Sequence, residues 1–279
     1  MPPKLGILAG GGELPKRLIE LCRSTGREYF VIAFQEQADA ELTLGTPHAW
    51  LRIGAGAKIL ETLKREKVAE LVMAGRIKRP PLAQLKPDAY TARFIAKIGR
   101  RMIGDNNLLS AIAEEFENEG FRIIGADELI QDIVAPAGVL GAIAPSQSDL
   151  RDIDRGIEAA RQLGERDAGQ AVIVLGETVI ERETEDGTDA MIERFAGQFG
   201  GQPDMQGGVL VKMKKPRQDR RVDLPTIGAK TIELAASAGL RGVAIEAGNA
   251  LVLDLPGTIG KADEVGIFVV GVAANDQRE

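Results

Sequence analysis

Over its first 130 residues the chain alternates short apolar runs with stretches whose apolar residues recur at helical spacing, and nothing else in it narrows the fold as much. Leu5–Ala9, Tyr29–Phe34, Trp50–Ile53, Leu71–Ala74 and Arg122–Gly125 read as strands. Leu14, Leu18 and Leu21, then Ile59, Leu60 and Leu63, then Leu108, Leu109, Ile112 and Phe116 mark the helices between them. Strands separated by helices build βαβ units, so the expected fold class is α/β, with a parallel sheet covered by helices.

Past residue 132 the pattern changes. Ile133 to Ser148 is rich in Ala, Gly, Pro and Ser and reads as a linker, with Asp149 placed to cap the helix that follows through Leu150, Ile153, Ile157 and Leu163. Ala171 to Leu175 and Glu177 to Arg182 flank Gly176 as a hairpin. Ala190 to Phe199 and Ala229 to Ala238 read as helices, and Val209 to Lys212, Val243 to Glu246, Ala250 to Leu253 and Ile267 to Val272 as strands. The expected organisation is a Rossmann-like parallel-sheet domain over 1–132, a linker over 133–148 and a mixed α/β domain over 149–279.

The 279 residues hold 35 Lys and Arg against 41 Asp and Glu, a formal charge of −6, which argues against broad nucleic-acid binding. One Cys and one His cannot furnish a structural zinc site or a disulfide. Cys22 falls on an apolar helix face and reads as core, and His48, after Pro47, as a solvated loop residue. No apolar run approaches the length of a membrane span, so a cytoplasmic protein with at most peripheral membrane contact is expected.

Five segments carry possible chemistry. In Gly6–Pro15 a strand runs through Gly10, Gly11 and Gly12 into a helix, a layout that suits phosphate at the helix start or merely a tight turn; Pro15 stands where a dinucleotide-binding fingerprint has its third glycine. Arg76, Lys78 and Arg79 follow a strand end, facing either a ligand crevice or solvent. Gly104 to Leu109 opens a helix with Asp105 as cap, and Asn106 or Asn107 as the lesser candidates for a ligand. In Glu183 to Asp189, Thr188 or Asp189 caps a helix or meets phosphate, and four carboxylates offer a divalent cation oxygen ligands.

The fifth, Lys212 to Gly228, places six cations in the ten residues Lys212 to Arg221 of an acidic chain, interrupted by Pro216 and followed by Pro225. Clustered Lys and Arg beside a helix start near Thr226 suit a diphosphate, while Asp219 and Asp223 supply the oxygen ligands that Mg²⁺ takes alongside substrate phosphate. This is the pattern of a phosphoryl-transfer site.

These segments together resemble the LpxI-type UDP-2,3-diacylglucosamine pyrophosphatases of lipid A biosynthesis. The likeness rests on Gly6–Pro15, Ala74–Pro80, Gly104-Asp105, Gly187–Ile192, Ala235–Gly248 and above all Lys215–Gly228 with its Gln-Asp-Arg-Arg-Val-Asp-Leu-Pro-Thr core. It implies Mg²⁺-dependent hydrolysis of UDP-2,3-diacylglucosamine to 2,3-diacylglucosamine 1-phosphate (lipid X) and UMP. Water would attack the β-phosphorus, and the enzyme would work at the inner face of the inner membrane. It puts the essential aspartate at Asp223. With Asp219 as second acid and metal ligand, the expected substrate-binding residues are Gly10, Gly11, Gly12, Lys78, Thr188, Asp189, Lys212, Lys215, Gln218, Arg220, Arg221 and Thr226. A homodimer is compatible with the resemblance, and a nucleic-acid partner is not expected. Two other readings remain open from the residues: a nucleotide-sugar oxidoreductase, kept alive by the glycine loop and Glu36, and a non-catalytic nucleotide- or phospholipid-binding module.

Overall fold

The computed structural model describes residues 2–78, 85–99, 105–199 and 207–273, without the side chains of 105–107. By its contacts the chain divides into two units, Met1–Ile130 with Asp219–Asp223, and Gln131–Gln218 with Leu224–Glu279.

In the first unit the strands are β1 (Leu5–Ala9), β2 (Tyr29–Phe34), β3 (His48–Leu51), β4 (Glu70–Ala74) and β5 (Arg122–Ile123), all parallel in the order β3-β2-β1-β4-β5. Helices α1 (Glu13–Thr25), α2 (Gly56–Arg65), α3 (Ala89–Ile98), α4 (Asp105–Asn118) and the one-turn α5 (Ala126–Leu129) accompany them. The near-continuous burial of β1 and β2 is what helices on both faces of a parallel sheet produce. Leu8, Ile32 and Leu71 meet Ile59, Leu60 and Leu63 of α2 in one core. Leu18, Ile19 and Cys22 of α1 are buried too, and burial raises the Cys22 thiol pKa, as a core cysteine requires. His48 is not in a loop: it starts β3 opposite Val31, exposed, with its Nδ1 2.7 Å from the Thr46 carbonyl.

The second unit holds a six-stranded sheet, order β6-β13-β11-β9-β7-β8, built from β6 (Gly138–Val139), β7 (Ala171–Leu175), β8 (Thr178–Arg182), β9 (Gly207–Lys212), β11 (Leu240–Glu246) and β13 (Phe268–Val272). Its centre, β13-β11-β9, is parallel and its flanks are antiparallel, so the sheet is mixed, in keeping with the expected α/β class. β10 (Thr226–Ile227) and β12 (Leu251–Val252) form a separate parallel pair. Helix α6 (Gln147–Glu165) covers one face through Ile153, Ile157 and Ala160. On the other face α7 (Gly187–Phe199), α8 (Ala229–Ser237) and α9 (Leu255–Val265) bury Met191, Phe195, Ile232 and Ala262. The predicted hairpin turns at Gly176 and Glu177, whose φ values of 57° and 61° are those of a turn that follows the twist of paired strands.

Two boundaries differ from the sequence reading. Residues 133–148 are built into the second unit: Ile133 and Ala135 are core, and β6 pairs with β13. The segment lies close against β13, where a Cβ on Gly271 would lie 1.8 Å from the Pro136 carbonyl oxygen. The cap of α6 is Ser146, with Asp149 at the third position reaching back to the Ser146 N–H at 2.7 Å, a reciprocal capping box.

Candidate functional site

The order β3-β2-β1-β4-β5 reverses direction between β1 and β4, and ligands of open parallel sheets bind where such a reversal opens the carboxyl edge. The loops leaving those two strands carry Gly10–Gly12 and Gly75–Lys78. They are tied to each other, Gly11 and Arg76 exchanging backbone hydrogen bonds of 2.9 and 2.8 Å. A Cβ on Gly10 would lie 2.4 Å from the Arg76 carbonyl oxygen, so the first glycine is demanded by this close approach. Gly12 (φ 101°) precedes α1 without a side chain to cap it, and its N–H donates to Asp39 Oδ2 at 3.2 Å. A carboxylate that no motif singled out thus occupies the helix start where the sequence suggested phosphate. Lys78 is exposed, its backbone N–H held by Gln37 Oε1 at 2.7 Å. Arg79, Gly104 and the side chains of Asp105, Asn106 and Asn107 lie outside the described residues.

Asp219–Asp223 is a tight turn of the first unit, closed by N–H groups of Val222 and Asp223 donating to the Asp219 carbonyl, each at 3.2 Å. Val222 enters the same core as Leu8 and Leu71. Arg220 pairs with Asp127 at 2.9 Å, and Arg221 reaches Glu117 at 2.6 Å. The Arg221 guanidinium also grips both Asp219 oxygens, Nε to Oδ1 at 3.1 Å and Nη2 to Oδ2 at 2.8 Å. That bond, with the Arg221 N–H behind it, holds the Asp219 carboxyl below its usual range and raises the guanidinium pKa. The Asp219 carboxylate is therefore held by Arg221, and Asp223 stands half-buried at the end of the same turn. Mg²⁺ takes one or two carboxylates and completes its shell with water and substrate phosphate, so a turn offering Asp223 suits it.

In the second unit Lys212, the last residue of β9, is buried and donates to the Thr226 carbonyl at 3.1 Å. The Thr226 hydroxyl donates to Leu224 O at 3.0 Å. Lys215, equally buried, pairs with Asp167 at 2.7 Å, and its N–H meets Gln218 Oε1 at 3.0 Å. Gln218 in turn reaches Gln170 Oε1 at 3.4 Å. Lys215 and Gln218 thus brace their own turn against the end of α6, which they approach closely enough that a Cβ on Gly164 would lie 3.2 Å from the Lys215 Cα. Thr188 and Asp189 are inside α7 and are not its cap. The buried Thr188 hydroxyl donates to Glu183, whose other oxygen accepts from the Gln170 N–H at 2.7 Å, and Asp189 pairs with Lys230 at 3.0 Å. The acidic stretch 183–189 therefore spends carboxylates on its own fold, and among the described residues no group of three His, Cys, Asp or Glu is arranged to hold a metal.

The structure joins Lys212 to Thr226 and gathers Asp219, Arg220, Arg221 and Asp223 in one turn, while giving Lys215, Gln218, Thr188 and Arg221 intramolecular partners. Asp39, Glu117, Asp127 and Asp167 are the acids that the sequence did not flag. Each sits far along the chain from the residue it holds, so no local spacing could have found it.

Residues 4–133 match the LpxI N-terminal domain family and residues 136–270 the LpxI C-terminal domain family. The chain is 40% identical over 273 residues to UDP-2,3-diacylglucosamine pyrophosphatase LpxI of Caulobacter vibrioides, covering 96% of this chain and 97% of that protein. A likeness that runs through both units and includes the Asp219–Asp223 turn makes this chain a member of the LpxI family.

Proposed function

We propose that the protein hydrolyses the diphosphate of UDP-2,3-diacylglucosamine, releasing 2,3-diacylglucosamine 1-phosphate (lipid X) and UMP. The observation that carries this is the end-to-end likeness to a pyrophosphatase of that name, joined to a turn whose chemistry suits phosphoryl transfer. Water adds its oxygen to the β-phosphorus, the bond from that phosphorus to the bridging oxygen breaks, and the bridging oxygen leaves with UMP. One proton of the water stays on the new phosphate of lipid X, and the other passes to the departing bridging oxygen of UMP or to solvent.

Asp223 is the residue assigned to hold Mg²⁺ and to orient the attacking water. Bound Mg²⁺ would offset charge on the diphosphate and lower the cost of expelling UMP. Asp219 serves this indirectly: gripped by Arg221, its carbonyl closes the turn that carries Asp223. Arg220 and Arg221 are tied to Asp127 and Glu117, which fixes the turn within its unit. The acyl chains of the substrate bring the enzyme to the inner face of the inner membrane as a peripheral protein, and among the described residues no helix is long and apolar enough to cross it.

The test is turnover of UDP-2,3-diacylglucosamine in ¹⁸O-water with and without Mg²⁺, the label being read in each product. Label in lipid X that requires Mg²⁺ is expected. Label in UMP would overturn attack at the β-phosphorus, and absence of cleavage would overturn the hydrolase reading.

A further inference from the structure

Lysine and arginine are not spread evenly over this acidic chain. Between Arg76 and Arg101 the sequence carries eight of them and a single acid, Asp88, while the other 27 stand against 40 acids. Asp88 is itself engaged, one oxygen accepting the Thr91 N–H at 2.8 Å and the other the Ala57 N–H at 2.9 Å. Arg79, Arg100 and Arg101 lie outside the described residues; Lys86, Arg93 and Lys97 are placed by α3 and the residues leading into it.

Helix α3 sets where these cations point. Ala89, Ala92, Arg93, Ala96 and Lys97 recur at the spacing of one helical face and are all exposed, whereas Tyr90, Thr91, Phe94, Ile95 and Ile98 on the opposite face are half-buried or buried. The outer face therefore holds two cations set among alanines, and the helix contains no Asp or Glu. Lys97 reaches Glu115 at 2.8 Å and remains 64% exposed, while Arg93 and Lys86 have no acid within ion-pair distance among the described residues. Lys86 sits beside Arg52, whose guanidinium donates to the Lys86 carbonyl at 3.2 Å; Glu36 lines the same small cavity and is the acid on that side. Gln37, also lining that cavity, accepts the Lys78 N–H at 2.7 Å. Next to Lys78 is Ile77, a large apolar side chain left 43% exposed between two cations.

We infer that the outer face of α3, with Lys86, Arg52 and Ile77 beside it, is the surface by which the protein docks on an anionic phospholipid bilayer. The inference rests on the lipid-substrate reading and deepens it, naming a face of the first unit that holds the membrane independently of the acyl chains of the substrate. An anionic leaflet attracts clustered Lys and Arg and repels the acidic remainder of the chain, so the uneven charge both holds the protein and orients it. An exposed isoleucine flanked by cations suits the boundary between headgroups and acyl chains. RNA, another polyanion, matches less well, because base recognition draws on exposed aromatic side chains, and Tyr90 and Phe94 lie on the inner face of the helix.

The experiment is flotation of the full chain, without substrate, with vesicles of phosphatidylcholine alone and of phosphatidylcholine mixed with phosphatidylglycerol. It compares the wild type, a Lys86→Gln, Arg93→Gln double variant and, as a control that removes two exposed cations from α6, an Arg151→Gln, Arg155→Gln double variant. The wild type floats with the anionic vesicles and not with the neutral ones, and it is released as salt shortens the Debye length from about 10 Å at 0.1 M to about 3 Å at 1 M. The Lys86, Arg93 variant binds about thirtyfold more weakly, each cation near an anionic surface being worth about fivefold, while the control binds as the wild type does. Its Trp50 fluorescence in urea follows the wild type, so the loss is not one of folding. Equal binding to neutral vesicles, no binding to either kind, equal loss in the two variants, or binding to duplex RNA in preference to anionic vesicles would each overturn the inference. Hydrolysis of UDP-2,3-diacylglucosamine dispersed in detergent separates the two levels. Turnover by a wild type that does not bind vesicles sinks the docking surface alone, and binding to anionic vesicles without turnover sinks the hydrolase reading alone.

Discussion

Replacing Asp88 by Ala removes two helix caps at once. Its Oδ1 accepts the Thr91 N–H at 2.8 Å and caps its own helix, α3, while Oδ2 accepts the Ala57 N–H at 2.9 Å at the start of α2. α2 depends on this borrowed cap because its own N-cap residue is Ala55, which has nothing to offer. A lost side-chain cap costs about 1 kcal/mol, so the pair costs about 2 kcal/mol, with an outer range of about 1 to 4. A loss of that size lowers a melting temperature by about 4 to 8 °C in a protein of this size class. The one tryptophan, Trp50, lies in β3, which makes its fluorescence in a urea titration a report on the first unit alone. Asp88→Asn keeps one acceptor oxygen and loses the other, so its cost falls between wild type and Asp88→Ala.

The sign of the pH dependence follows from the same contacts. Burial by itself would raise the Asp88 pKa, yet the N–H groups of Thr91 and Ala57 outweigh it and the folded value is lowered. The contribution is then fully present above the ordinary carboxylate range and is lost as pH falls through the lowered folded value. The stability gap between wild type and Asp88→Ala should narrow from pH 6 toward pH 3. An Asp88→Ala variant within about 0.5 kcal/mol of wild type at neutral pH would refute the double-cap argument, since surface changes without such a role fall in that range.

Three further outcomes are expected. Asp223→Ala abolishes turnover with substrate binding retained, whereas Asp219→Asn, which keeps the carbonyl that closes the turn, loses activity only in part; equal loss in both, measured as kcat and KM, would make Asp219 a direct participant. Lys215→Met breaks a largely buried pair and strands Asp167, one of whose oxygens is already buried without a partner, so a loss of about 3 kcal/mol is expected in chemical denaturation of the second unit. Gly10→Ala sets a methyl group 2.4 Å from a backbone oxygen that cannot swing away, and should cost about 1 to 3 kcal/mol in the urea titration followed by Trp50.

Much of the fold was legible because it is written locally. Leu5–Ala9 and Tyr29–Phe34 are strands at the predicted residues, and Gly176 marks a hairpin because the tight turns that join strands so closely need positive φ, which glycine adopts freely. Boundaries slipped where packing decides them. Ile133 to Ser148 has a linker's composition, yet its backbone pairs with β13 as an edge strand, a partner far along the chain that no local pattern marks. At the glycine loop, which the sequence offers as a phosphate site or a tight turn, the structure brings the Arg76 carbonyl against Gly10, the Gln37 carbonyl against Gly11 and Asp39 onto the Gly12 N–H.

The sequence by itself determined the α/β class, the helical and strand periodicities and membership of the LpxI family, because these depend on neighbours a few residues apart or on matching runs of residues. Only the tertiary structure decided which charges are spent and which remain for chemistry. Arg220 and Arg221 find their acids 93 and 104 residues away, and Lys215 finds Asp167 across 48. Folding alone places such partners.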